Sequence, residues 1–206
     1  MSRTHRAFDL LGALAGLTVF APLMALIAAA VLISDGPPVF FRQQRLGRLR
    51  RPFLIVKFRT MRDGRVPPVG RLLRATGLDE IPQFVNILRG DMSAVGPRPL
   101  TAEDVARLGW TGAEFDFRWD CRPGLTGLAQ LMGARADDDA LAFDRVHARE
   151  WSPTLDCQLI AWSFAVNAFG KVRVRRWLRE RVPRFQSSRV RSSGFSEDNR
   201  ESNQTV

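Results

Sequence analysis

The sequence has no tyrosine, and only two histidines, two cysteines and two lysines among its 206 residues. Each scarcity closes a class. Cys121 and Cys157 cannot staple a small secreted scaffold, and such sparse cysteine fits a reducing, cytoplasmic setting. With His5 and His147 the only imidazoles, a zinc site of the His/Cys kind is disfavoured, and any metal would be a hard cation held by carboxylates. There is no glycine-rich phosphate loop, no dinucleotide fingerprint, no Ser/His/Asp pattern and no internal repeat. Acidic residues are scarce in the first 78 positions, which hold three of them against thirteen cations; the remainder of the chain is balanced.

What is present is an ordinary core-forming composition, 45% hydrophobic and 25% charged, with a net charge of +10. That excess calls for anionic partners: nucleic acid, anionic lipid or phosphorylated substrates. Nearly all the cations are arginine, so Lys57 stands out as a compact point charge among planar forks.

Leu10–Ile33 carries no charge and is long enough to cross a bilayer as a helix. It is too long for the apolar core of a cleaved signal peptide. Arg3 and Arg6 precede it and Arg42, Arg45, Arg48, Arg50 and Arg51 follow it. Positive flanks favour the cytoplasm, so one crossing cannot satisfy both ends, whereas a re-entrant helix bent at Pro22 can. A simple span with a tolerated proline is the competing reading.

Beyond Gly36-Pro37-Pro38, PVFFRQQR and FLIVKFRTM read as two strands around a turn at 46–52. Alternation gives Leu54, Val56 and Phe58 one apolar face and Lys57 and Arg59 the other, a spacing that suits a diphosphate or, more blandly, a solvated strand face. GRLLRATGL (70–78) reads as a short helix. Asp79-Glu80 then precede Pro82 and an apolar run, as at a helix start. The pair could be capping residues. It could also be a carboxylate nucleophile, kept ionised by the helix N-terminus, beside a Mg²⁺ ligand. GPRP (96–99) and RPGLTGLAQ (122–130) read as rigid loops presenting Arg98 and Arg122. Residues 101–120 and 138–169 read as helical. In 171–182, Val174, Trp177, Leu178 and Val182 form one face of a helix that is either interfacial or packed on the domain. The tail from 186 reads as disordered.

These stretches carry a resemblance. RAFDLLGAL with Pro22, PVFFRQQRLG (38–47), KFRTM (57–61), LDEIPQFVNILRGDMSAVGPRP (78–99) and RPGLTGLAQ (122–130) resemble, in order, the bacterial sugar transferases of the monotopic phosphoglycosyl transferase family, in its minimal form. The resemblance implies an α+β, mostly helical chain. Residues 1–35 form a re-entrant membrane helix and 36–185 a small cytosolic catalytic domain with a β-hairpin and interfacial amphipathic helices, with the compositionally disordered tail, 186–206, beyond the match. It implies transfer of a sugar 1-phosphate from a UDP-sugar to polyprenyl (undecaprenyl) phosphate, with UMP leaving. The place is the cytoplasmic face of the bacterial inner membrane, among its lipids. Asp79 would become a covalent phosphosugar ester and Glu80 would bind Mg²⁺. Lys57, Arg59, Arg74 and Arg98 would hold phosphates, with Gln83 and Arg122 completing the substrate-binding set. Ala21 departs from the serine frequent before the helix-breaking proline, and the match loosens after residue 130. Two other classes remain: a membrane-tethered nucleic-acid-binding protein, against which the missing recognition motifs and tyrosines speak, and a catalytically silent assembly scaffold, against which the intact Asp79, Glu80 and Lys57 speak.

Overall fold

The apolar run extends at both ends into one helix, α1 (Arg3–Asp35), with Pro22 inside it. A computed structural model describes residues 3–134, 138–150 and 152–181; the expected tail, 186–206, lies outside them, as does Val182. Along α1 the buried positions are His5, Asp9, Ala13, Ile27 and Val31, with Gly16, Phe20, Leu23 and Met24 partly covered between them. This three-to-four-residue rhythm is a single stripe running the length of the helix. The other side holds Leu11, Leu14, Val19, Leu26 and Ile33, which are 58–87% exposed. A face of large apolar side chains this long is not one that water tolerates without a partner or a lipid phase.

Both ends of α1 are fastened. Near its start, Arg6 donates to the carbonyls of Ile87 and Leu88 (2.6 and 2.9 Å), and Asp9 Oδ1 accepts from the Ser93 hydroxyl and the Ala94 amide, each at 2.9 Å. At its end, Arg59 pairs with the Asp35 carboxylate at 3.1 Å and donates to the carbonyls of Asp35, Gly36 and Pro37. Cations at a helix C-terminus complement its dipole and its orphan carbonyls.

The two expected strands form an antiparallel hairpin, β1 (Phe40–Leu46) and β2 (Pro52–Phe58), in the register Phe41↔Lys57, Gln43↔Ile55, Arg45↔Phe53. The expected apolar face of β2 is corrected: Leu54 is 53% exposed, whereas Ile55 is buried with Ala13, Ile87 and Met92. Phe58 enters a second cluster with Ile27, Val31 and Leu73. Lys57 thus shares a strand face with a core residue and is not on a solvated face.

Helix α2 (Pro68–Thr76) stops at Gly77, whose φ of 74° a side chain would oppose. Residues Leu78–Gln83 then wind as a 3-10 turn, and α3 (Phe84–Arg89) follows. This corrects the expectation of an α-helix beginning at Asp79-Glu80. A second small sheet pairs β3 (Ser93–Val95) with β4 (Gly124–Thr126), which periodicity alone did not reveal in segments this short. It sets GPRP beside RPGL, and a Cβ at Gly96 would run into the backbone of Arg122 and Gly124. The expected helix over 101–120 is broken into α4 (Ala102–Leu108) and α5 (Asp116–Trp119), with Gly109 in the left-handed conformation between them.

The described residues form two compact units, one up to Leu125 and one from Thr126 onward. In the second, α6 (Leu128–Met132) packs on α7 (Asp138–Arg149) and α8 (Pro153–Phe169), and α8 packs on α9 (Lys171–Arg181). The expected continuous helix over 138–169 is interrupted where Ser152 caps α8 ahead of Pro153. On α9, Val174 and Leu178 are buried in this unit, and Trp177 packs against Trp162 with ring centroids 4.9 Å apart and the rings tilted by 39°. Much of the amphipathic stripe therefore serves packing, with Trp177 still 41% exposed.

Candidate active site

The left-handed turn at Gly77 throws the chain off the end of α2, and the buried Ile81, Pro82 and Gln83 hold the following 3-10 turn against the protein. Asp79 and Glu80 project from that turn and are half-buried. The turn packs against β2, whose Lys57 Nζ lies 2.5 Å from Glu80 Oε1. A carboxylate pair and the lone lysine of the first unit thus meet, although they are far apart in sequence.

Burial is the largest influence on Asp79 and raises its pKa above the ordinary carboxylate value; the neighbouring Glu80 charge adds to the rise. Lys57, a bond to its own backbone amide and Arg74 act in the opposite sense and do not cancel it. The direction is opposite to the one expected from a helix start alone, because burial and Glu80 outweigh the bond to the backbone amide and the nearby cations.

The other expected residues divide. Arg74 acts on Asp79 from the last turn of α2. Gln83 is 2% exposed, and among the described residues its Nε2 has no hydrogen-bond partner. Arg59 is committed to the end of α1, as described above, and the structure does not bring its guanidinium to the Lys57–Glu80 pair. Arg98 is exposed; its carbonyl is held by Arg118, which is buried against the rings of Trp110 and Trp119 at 5.3 and 5.2 Å. Arg122 donates from Nε to the Gly90 carbonyl at 2.8 Å, and burial, with Arg6 and Arg48 nearby, lowers its pKa.

A further cation, which no motif singles out, joins the Lys57 face. Arg45 lies on the same hairpin face as Lys57 and within electrostatic reach of Glu80, Arg98 and Asp104; burial lowers its pKa. It ion-pairs with Asp104 at 3.5 Å and donates to the Pro99 carbonyl. The signal lay in the strand pairing, since Arg45 opposite Phe53 must share the face of Ile55 and Lys57.

Among the described residues no cluster of three or more His, Cys, Asp or Glu side chains could hold a metal. The adjacent carboxylates of Asp79 and Glu80 nevertheless suit Mg²⁺, which is commonly bound by one or two carboxylates together with substrate phosphates and water. The donor set fits a cation that arrives with a diphosphate better than one caged by protein.

The sequence profile of bacterial sugar transferases matches residues 1–170, which include all of these positions. The chain belongs to the bacterial sugar transferase family. Within it, the chain is 39% identical over 180 residues to the UDP-glucose:undecaprenyl-phosphate glucose-1-phosphate transferase of Caulobacter vibrioides, covering 75% of this chain and 66% of that protein. It is 38% identical over 186 residues to the exopolysaccharide production protein ExoY of Rhizobium meliloti, covering 75% and 81%. The Escherichia coli protein with the same name as the Caulobacter one is 37% identical over 176 residues, or 75% of this chain and 38% of that one. The chain therefore spans two thirds or less of two of these relatives and most of the third. In this chain the half-buried Asp79 stands beside the Lys57–Glu80 ion pair, with Arg74 acting on Asp79 and Arg45 on Glu80.

Proposed function

We propose that this sugar transferase moves a sugar 1-phosphate from a UDP-sugar to polyprenyl phosphate. The reaction is the first membrane step of glycan or exopolysaccharide assembly on the cytoplasmic face of the bacterial inner membrane. The observation that carries the reading is Asp79 set beside the Lys57–Glu80 pair. In the first half-reaction an Asp79 carboxylate oxygen attacks the sugar-bearing phosphorus, the bond to the UMP oxygen breaks, and UMP leaves. In the second, a phosphate oxygen of the lipid attacks that phosphorus and the aspartyl bond breaks, restoring the carboxylate and giving a lipid diphosphosugar. The order lets one small site serve a soluble donor and a lipid acceptor in turn. Lys57 offsets the charge of the diphosphate and of Glu80. Arg74, Arg98 and Arg122, with Gln83, are proposed to bind and orient the donor. Glu80 would hold Mg²⁺, which when bound neutralises phosphate oxygens and so eases the approach of a carboxylate. Purified protein given a UDP-sugar, polyprenyl phosphate and Mg²⁺ should release UMP only when all are present in catalytic turnover. Absence of UMP release across UDP-sugars would sink the reading.

Features of α1 support a membrane path as well. Its two ends are fastened to one unit while an apolar face looks outward, and both flanks are basic. A straight helix of 33 residues would be about 50 Å long, far more than a bilayer core. We read α1 as re-entrant with its bend at Pro22, so that Arg3 and Arg42 share the cytoplasmic side. Cysteines placed at either position should resist a membrane-impermeant thiol reagent added outside intact cells and react after lysis. Labelling of one end from outside would establish a crossing instead.

A further inference from the structure

Asn86, in the middle of α3, is completely buried. Its side chain is spent on a strand 30 residues away: Oδ1 accepts from the Val56 amide at 3.1 Å and Nδ2 donates to the Leu54 carbonyl at 2.7 Å. These are the groups of β2 that a third strand would bind, so a single carboxamide stands in for that strand. Nδ2 also faces Asp91 Oδ2 at 3.3 Å, and the Asn86 carbonyl accepts from the amides of Gly90, Asp91 and Met92 as the helix ends. The clasp joins two elements that carry the site. Lys57 follows Val56 directly, and Asp79 and Glu80 lie in the 3-10 turn that runs straight into α3. Strand side chains alternate faces, so a one-residue slip of β2 would turn Lys57 to the opposite side. The burial of Ile55 and Phe58 also bears on that register, and Leu46 ties β1 to Leu100. Among the described residues, Asn86 is the side chain that hydrogen-bonds β2 directly to α3.

We propose that Asn86 is a positioning residue for the transfer site: by clasping β2 at Leu54 and Val56 it holds Lys57 against Glu80. The role in turnover rests on the function proposed above; the placement of Lys57 does not. The test therefore begins with a readout independent of activity. A carbodiimide should join the Lys57 amine and the Glu80 carboxylate directly in the full-length protein in detergent, as a cross-linked peptide pair seen by mass spectrometry. Asn86→Ala and the bulk-preserving Asn86→Leu should lower that yield at least fivefold at a temperature where circular dichroism shows the fold intact. An unchanged yield in a folded variant would reduce Asn86 to a purely structural residue and overturn the proposal. Should neither variant fold, hydrogen exchange in the wild-type protein decides: the Val56 amide should exchange at least a hundredfold more slowly than an unprotected amide, and free exchange would overturn the clasp. In turnover, Asn86→Ala should cost about as much as Lys57→Ala, and the double variant little more. Losses that multiply would mean that the two residues act separately. A wild-type protein that cross-links as expected but releases no UMP would defeat the transferase reading and leave the clasp standing.

Discussion

Asp79→Asn should abolish sugar-phosphate transfer while leaving the protein folded, and melting no lower than the wild type. The substitution keeps shape and polarity and removes the attacking oxygen's charge. In the structure Asp79 is a charge opposed by burial and by Glu80, which is why its pKa is raised. A neutral amide at that place relieves both, so stability should hold or rise. A carboxylate lost as nucleophile typically lowers turnover by about a thousandfold or more when nothing else can attack. The same chemistry gives a positive signal in the wild type. With a UDP-sugar alone, the peptide containing Asp79 should gain the mass of a sugar phosphate, and should lose it when polyprenyl phosphate is added. Turnover retained in Asp79→Asn, or kinetics demanding a ternary complex with no labelled enzyme, would replace the covalent path with direct displacement.

The parts of this site that are contiguous in sequence were readable before any fold was known. The hairpin, α2 and the long α1 follow from alternation, helical period and an unbroken apolar run, which are local signals. Asp79 and Glu80 stand out in the sequence because acidic residues before a proline mark a helix start, and the family resemblance supplies their roles. Their conformation does not, because whether such a start winds as α or 3-10 depends on the buried Ile81, Pro82 and Gln83 and on Gly77 behind them. Alternation sets Lys57 on the face opposite Leu54, Val56 and Phe58, as the register has it, but does not tell which positions are buried: Ile55 and Phe58 enter the core and Leu54 does not, and that depends on α1 and α3 arriving from elsewhere. Alternation groups Arg59 with Lys57 on one strand face. Arg59 lies one residue past the end of β2, where the nearest negative potential is the C-terminus of α1. Arg45 is told from its neighbouring arginines only by the strand pairing, and Asn86 gives no sequence signal, because an asparagine in an apolar helix acquires meaning only from the elements set against it.

Lys57→Ala should lower turnover at least tenfold and make the remaining activity more sensitive to acid. The amine is 2.5 Å from Glu80 and is a cation that acts on Asp79 from β2. Losing a charge-assisted contact costs about 1.5–3 kcal/mol, a factor of ten or more in rate if the contact is made in the transition state. The pH effect has a definite sign. Asp79 attacks only when ionised, so activity falls as pH drops through its pKa in the folded enzyme. Burial and Glu80 have already raised that pKa; Lys57 lowers it. Removing Lys57 leaves the raising influences less opposed, so the acid limb of the pH–rate profile should move to higher pH. Lys57→Arg should restore part of the charge effect and less of the rate, since a planar fork cannot sit where a compact ammonium does. Arg59→Ala is the control from the same stretch: its guanidinium holds the end of α1, so it should lower thermal stability and leave the acid limb in place. A Lys57→Ala enzyme with unchanged rate and an unmoved acid limb would return Lys57 to the role of a structural partner for Glu80.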